Sequence, residues 1–156
     1  SSAASDVYKR QGETDGGLNV SLSFVIDQGD DTAIGSGPFD SHSVTIGSDT
    51  MGSLVFSGEG GSSAQSAIDT TAAGDAWDNG SGITAIRSSE AGNNSMLYTF
   101  PSVVDDLTVK ASYSPGSTGG PSATSWSASY AGVEGLTLDY AEGETETIGS
   151  EATTST

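Results

Sequence analysis

Hydrophobic side chains alternate with small polar side chains along most of the chain, which predicts strands rather than helices. Between Leu18 and Ile26 every second residue is apolar, and the residues between them are mostly Ser and Asn. A period of two is the period of a β-strand, and no stretch of helical length carries a 3.6-residue apolar stripe. The same alternation predicts seven strands, at about residues 17–27, 42–48, 52–58, 95–100, 106–113, 124–131 and 135–142.

The predicted connections alternate in length. Long connections are predicted at one rim of the sheet, at 28–41 and 59–94. Short ones are predicted at the other rim, at about 48–52, 101–106 and 131–135. Long loops at one rim and tight turns at the other are typical of a transmembrane barrel, whereas a soluble sandwich has no reason to segregate its loops. We therefore expect an all-β, antiparallel, up-and-down transmembrane β-barrel, present in part as about seven strands with open edges.

The two faces of these strands differ in chemistry. One face is Ser, Thr, Asn and Asp, which suits water, and the other is apolar with aromatic residues near strand ends. Such aromatic residues suit the interface girdle of a membrane barrel. Periodicity alone fits equally well an ordinary antiparallel sheet whose aromatic face packs on a second sheet. The expected girdle residues are Phe24, Tyr98, Phe100, Tyr113, Trp126, Tyr130 and Tyr140.

Composition narrows the classes of function. The 156 residues carry 21 acidic and 4 basic side chains, a net charge of -17, and no Cys. A chain this acidic cannot neutralise phosphates, so nucleic acid is not expected as a partner, and disulfides and thiolate metal sites are excluded. No stretch has the apolar length of a membrane helix. The length fits one domain.

The sequence of residues 1–11 indicates a segment that is foreign to the rest of the chain. Ser1 to Gln11 resembles the in-frame translation of a transposon-type sequencing adapter. We expect this segment to be an artefact and leave it out of the fold prediction; the alternative is a genuine polar N-terminal tail. The barrel fragment is then expected over 12–156.

Four motifs in order resemble the general porins of alphaproteobacteria. Gly12–Leu18 with the strand after it is similar to an early turn and strand of that family, and Val44–Phe56 to the next hairpin. Asn94–Pro101 with Leu107–Tyr113 resembles the strand pair after the constriction loop, and Ala128–Leu136 continues in the same style. The resemblance covers roughly 12–143.

The resemblance implies an outer-membrane barrel of about sixteen strands, usually a homotrimer, of which this chain would supply strands three to nine. It implies a bacterial outer-membrane location, contact with outer-membrane lipid, and a water-filled channel for passive diffusion of ions and small hydrophilic solutes. The family ends its last strand in an aromatic residue, whereas this chain ends at Thr156. We therefore expect both ends to be truncated.

By the same resemblance, 59–94 is the loop that narrows the pore. Its three aspartates, Asp69, Asp75 and Asp78, would attract cations there, although each also fits a turn-capping role. Lys110 is the strand residue placed to face them, and Arg87 lies in the loop itself. Ser62 to Ala67 is expected to form a short helical turn. The lumen-facing positions are Thr99, Thr108, Ser112 and Asp139, and the scarcity of basic residues predicts a cation-preferring pore.

Other residues point less clearly to chemistry. Asp27, Asp30 and Asp31 are weak candidates for Ca²⁺, since an EF-hand spacing is absent and a solvated acidic loop explains them better. His42 has no second His or Cys nearby, so no transition-metal site is expected. We recognise no catalytic motif or cofactor site in the sequence, and we expect a protein that is not an enzyme.

Two alternatives remain open. A secreted structural β domain of a filament or adhesin shares the acidic, Ser/Thr/Gly-rich, Cys-free composition. A sugar-binding β-sandwich is the second, with Trp77 and Trp126 stacking on the ligand, but it requires a denser apolar inner face.

Overall fold

The part of the chain that the structure describes forms one antiparallel, up-and-down sheet of nine strands, in which each strand pairs with its neighbours in sequence. The structure, a computed structural model, describes residues 6–26, 39–66, 94–116, 121–147 and 150–155. Within these ranges there is no helix, so the predicted all-β, up-and-down fold with open edges is confirmed. The strands are β1 Asp6–Glu13, β2 Asn19–Ile26, β3 Phe39–Ser48, β4 Gly52–Glu59, β5 Ser95–Thr99, β6 Leu107–Ser114, β7 Ser122–Val133, β8 Leu136–Thr147 and β9 Ser150–Ser155.

All seven predicted strands are present as β2–β8, and the structure adds β1 and β9. β1 includes part of the segment 1–11, and it pairs with β2 along its whole length, from Asp6 opposite Ile26 to Glu13 opposite Asn19. The foreign origin of 1–11 stays a prediction. β9 pairs only with the last part of β8, from Glu142 to Thr147.

The connections lie at two rims of the sheet. The turn rim carries 14–18, 49–51, 100–106 and 134–135, and the loop rim carries 27–38, 60–94, 115–121 and 148–149. The predicted asymmetry therefore holds for the first two loop-rim connections. It is lost further along, because 115–121 is no longer than 100–106 and 148–149 is a two-residue connection.

Cross-strand registers give the sheet two chemically distinct faces, because side chains directly opposite each other share a face. One register row runs through Leu54, Tyr98, Ala111 and Trp126, and we call that side the aromatic face. The next row runs through Ser53, Thr99, Lys110 and Ser127, and we call that side the polar face.

Burial in this sheet is the reverse of that in an ordinary soluble sheet. Along β7, Ala123, Ser125 and Ser127 are buried, whereas Trp126 and Tyr130 between and after them are 43% and 38% exposed. The buried apolar side chains of the described ranges are three alanines, Ala64, Ala123 and Ala141. The covered side of the sheet is therefore the polar face, and the large apolar side chains face outward.

Candidate functional site

The polar face collects every predicted lumen-facing residue. Thr99 lies opposite Lys110, and Thr108 shares a register row with Ser129 and Asp139. Ser112 lies opposite Ser125 in the adjacent row. This common placement follows from strand parity. That the face lines a water-filled pore stays a prediction.

A tight turn of the long 60–94 connection lies on this face. The N–H of Ala64 donates to Ser112 Oγ at 2.9 Å, and the N–H of Gln65 donates to Ser125 Oγ at 3.2 Å. The two serine hydroxyls are themselves 2.6 Å apart. Two strands thus present a pair of hydroxyls that hold two consecutive backbone N–H groups of the loop, and Ala64 and Gln65 are 0% and 4% exposed.

The turn is closed by its own serines. Ser63 N–H donates to Ser66 Oγ at 2.9 Å, and Ser66 N–H donates to Ser63 Oγ at 3.0 Å. These reciprocal bonds satisfy the flanking amides locally, which leaves the amides of Ala64 and Gln65 to bond the sheet. The described part of the predicted helical turn at 62–67 is therefore a hydrogen-bonded turn at 64–66.

Small side chains make room for the docked turn. Ala123, Ser125 and Ser127 on β7 and Ala141 on β8 are all buried on the polar face. Ser125 among them contacts the turn directly, so a larger side chain at that position would keep the loop backbone away from the sheet. Sequence reasoning placed Ser112 on this face but missed Ser125 as its partner; the small residues at every second position, Ala123, Ser125 and Ser127, were the available signal.

The aromatic face carries the predicted girdle. Trp126 packs against Tyr140 with ring centroids 5.2 Å apart, Tyr98 meets Phe100 edge to face at 4.8 Å, and Phe24 stacks on Tyr8 at 5.1 Å. Tyr113 and Tyr130 share the face by register. Contact of these rings with lipid stays a prediction.

Tyr98 also ties the girdle to the turn rim. Its hydroxyl donates to the carbonyl oxygen of Met51, in the turn between β3 and β4. The ring is thus anchored at its polar end and half-buried along its body, an arrangement that suits an amphipathic boundary.

The apolar band ends abruptly on β8. Leu136, Leu138 and Tyr140 are exposed on the aromatic face, and the next positions of the same parity toward the loop rim are Glu142, Glu144 and Glu146. The pairing of Glu146 with Glu151 on β9 continues the acidic region. Along this strand face the side chains thus change from Leu and Tyr to carboxylates within two residues; whether a membrane boundary lies there stays a prediction.

The remaining predicted site residues lie outside the described ranges. They are the constriction residues Asp69, Asp75, Asp78 and Arg87, the Ca²⁺ candidates Asp27, Asp30 and Asp31, and Trp77. In the part of the chain that the structure does describe, no group of three or more His, Cys, Asp or Glu side chains is arranged to hold a metal ion. Among the same described residues there is likewise no helix that is long and apolar enough to cross a membrane.

His42 lies near the loop rim, where β3 and β4 change register. It faces Glu59, and its imidazole occupies the space above Gly58, so that a Cβ on Gly58 would overlap the ring. The glycine accommodates the histidine at this irregularity. The packing of His42 over Gly58 gives both residues a structural role that involves no ligand.

Comparison with known proteins adds no relative: no protein-family model matches the chain, and neither a curated protein nor a solved structure matches it.

Proposed function

We propose that the chain is part of a bacterial outer-membrane porin, whose parent forms a water-filled channel for passive diffusion of ions and small hydrophilic solutes. The aromatic face contacts outer-membrane lipid, the polar face lines the channel, and the docked turn begins the segment that narrows it. The parent is a homotrimer without cofactor or catalytic activity, in keeping with the family resemblance of 12–143.

The observation that supports this best is the reversed burial of the sheet. A soluble sheet lowers its free energy by burying Trp and Tyr and exposing Ser. Here Trp126 is 43% and Tyr140 45% exposed, while Ser125 and Ser127 are 6% and 4% exposed. Such a contiguous apolar surface marks contact with a membrane or with another protein. The abrupt change from Tyr140 to Glu142 on one strand face favours the membrane.

Fluorescence quenching by brominated lipids tests the lipid contact. In the Trp77→Phe variant, Trp126 is the remaining tryptophan. We expect its emission to be blue-shifted and strongly quenched when the chain is refolded into brominated phospholipid vesicles. The matched control moves the tryptophan to the other face, as Trp77→Phe/Trp126→Phe/Ser129→Trp, and should be quenched far less.

The opposite outcome is equally informative. If the chain stays soluble and monomeric without lipid, and Trp126 is quenched no more than the Ser129→Trp control, the porin proposal is wrong. The secreted structural β domain then becomes the better explanation of the acidic, Ser- and Gly-rich composition.

A further inference from the structure

A hollow on the polar face at the turn rim lies apart from the docked turn. It is a concavity of about 660 Å³ that is open to solvent, and its lining includes Glu13, Asn19, Ser21, Thr45, Ser53 and Thr99. Registers bring these residues together from five strands: Ser21 faces Thr45, and Asn19, Gly47, Ser53 and Thr99 form one row. The volume is within the range of small-molecule sites, roughly 300–1,000 Å³.

Gly47 lies at the centre of the register row that forms the floor of this hollow. A Cβ at this position would lie 2.7 Å from the carbonyl oxygen of Gly52 and 2.9 Å from Cα of Ser53. Side chains are therefore excluded at the centre of the row, between Asn19 and Ser53. The close approach of the paired strand's backbone thus requires glycine here, and the floor of the hollow at this point is backbone flanked by the polar side chains of Asn19 and Ser53.

Four polar side chains around this floor have no hydrogen-bond partner within the described ranges, whereas Ser48 at its edge bonds within its own turn. The hydroxyl groups of Ser112 and Ser125 accept hydrogen bonds from the docked turn. In contrast, the side chains of Ser21, Thr45, Ser53 and Thr99 make no hydrogen bond within the described ranges, although all four are half-buried. Each hydroxyl offers one donor and two acceptor positions to a bound molecule.

The charge of the lining selects among ligands. Its charged members are the carboxylates of Glu13 and Asp49, and no Lys, Arg or His is among its lining residues. Anions are therefore disfavoured. Hydroxyl and amide groups, which both donate and accept, match the hydroxyls of a sugar, and carboxylates accept hydrogen bonds from the same groups.

We propose that this hollow binds small neutral polyhydroxylated solutes of about monosaccharide size. The inference rests on the proposed channel in one respect, namely that the polar face is the wall along which solutes pass. It goes further in giving that wall a local site with a preferred class of solute.

Saturation-transfer NMR on the chain refolded in detergent micelles tests the proposal, with D-glucose as the probe. We expect transfer to glucose. Because each hydrogen bond to a solute hydroxyl is worth a few-fold in affinity, Thr45→Val/Thr99→Val should weaken binding about tenfold. Thr108→Val, on the same face but outside the hollow, should leave binding unchanged. Valine replaces threonine nearly isosterically, and amide chemical shifts check that the sheet is intact.

A cation site is the outcome that would overturn the assignment. Tetramethylammonium is the competing probe, and Glu13→Gln separates the two ligands because it removes charge but keeps hydrogen-bonding capacity. Glucose binding should change less than about twofold in Glu13→Gln. If tetramethylammonium binds and glucose does not, or if the double Thr→Val variant binds glucose like the parent sequence, the proposal is wrong.

This result is independent of the lipid-contact test. Glucose binding without quenching of Trp126 would refute the porin while keeping the site. Quenching without glucose binding would keep the porin and leave its wall without this solute site.

Discussion

At the scale of single residues, two hydroxyls set where the long connection meets the sheet. Ser112 and Ser125 each accept one loop N–H, and their 2.6 Å separation means that one also donates to the other. Replacement of either by Ala leaves a backbone N–H buried without its acceptor. Such an unsatisfied group costs more than the net value of the bond it lost.

We therefore predict that Ser112→Ala and Ser125→Ala each loosen the docked turn. A loss of about 1–3 kcal/mol corresponds to hydrogen exchange at the amides of Ala64 and Gln65 that is faster by roughly 5- to 150-fold. Hydrogen-exchange mass spectrometry over 60–66 measures it. Ser129→Ala is the control, since Ser129 is on the same face and makes no side-chain hydrogen bond in the described ranges. Unchanged exchange in both variants would show that other contacts hold the turn.

The sequence could place these residues on a face but could not pair them with the loop. Parity along β6 suffices to put Lys110 and Ser112 opposite the aromatic side chains. The bond from Gln65 to Ser125 joins residues 60 apart in the chain. Its existence depends on where a long connection returns, and no local pattern encodes that return.

At the scale of elements, the β3–β4 hairpin depends on a glycine at its end. Gly52 has φ of 74°, and a Cβ there would lie 2.2 Å from the carbonyl oxygen of Thr99 on β5. The left-handed backbone and the close approach of the next strand both exclude a side chain. The residue thus serves the turn and the β4–β5 pairing together.

Gly52→Ala should destabilise the sheet by about 1–3 kcal/mol, since it adds left-handed strain and a backbone clash. Urea unfolding followed by tryptophan fluorescence gives the change in unfolding free energy. Gly16→Ala is the matched control: Gly16 is in the β1–β2 turn without a positive φ, and its Cβ would meet only Thr14 Oγ1, at 3.9 Å. Equal effects at the two glycines would contradict the steric argument.

Alternation predicted the strands that have an apolar face and missed β9, which has no apolar alternation; β1 is a different case, because most of it lies in the segment 1–11 that was excluded as foreign. β2 to β8 carry apolar side chains at every second position over at least part of their length, and all were predicted. The sequence of β9, Ser150–Ser155, contains one apolar residue, Ala152, and therefore shows no apolar alternation. β8 likewise runs beyond its predicted end through alternating glutamates, because backbone pairing with β7 continues where the apolar pattern stops.

At the scale of the whole molecule, the sign of one substitution distinguishes a lipid-facing sheet from a solvated one. Ala128 lies on the aromatic face between Val109 and Tyr140. In a bilayer, Ala128→Lys should cost about 2–4 kcal/mol if the position is near the midplane. On a water-exposed sheet the same change should be nearly neutral.

Unfolding of the chain from phospholipid vesicles in denaturant measures that cost. Ser129→Lys places the same charge on the opposite face, where water should solvate it, and we expect little change. A neutral Ala128→Lys together with a costly Ser129→Lys would mean that the aromatic face is the wet one.

The net charge of the whole chain is expected to determine which ions the proposed channel prefers. The chain has 21 acidic and 4 basic side chains, and Lys110 is a described cation of the polar face, within β6. A narrow passage with low-dielectric walls concentrates the field of such fixed charge. We predict that the proposed channel passes K⁺ better than Cl⁻, as measured from the reversal potential in a KCl gradient. Lys110→Gln should increase the preference and Lys110→Arg should keep it.

Because the Debye length falls from about 10 Å at 0.1 M salt to about 3 Å at 1 M, the preference should also weaken as both KCl concentrations rise. A reversal potential of the sign set by Cl⁻ would refute the charge argument, and one that is independent of salt would place the selectivity in size or direct coordination instead.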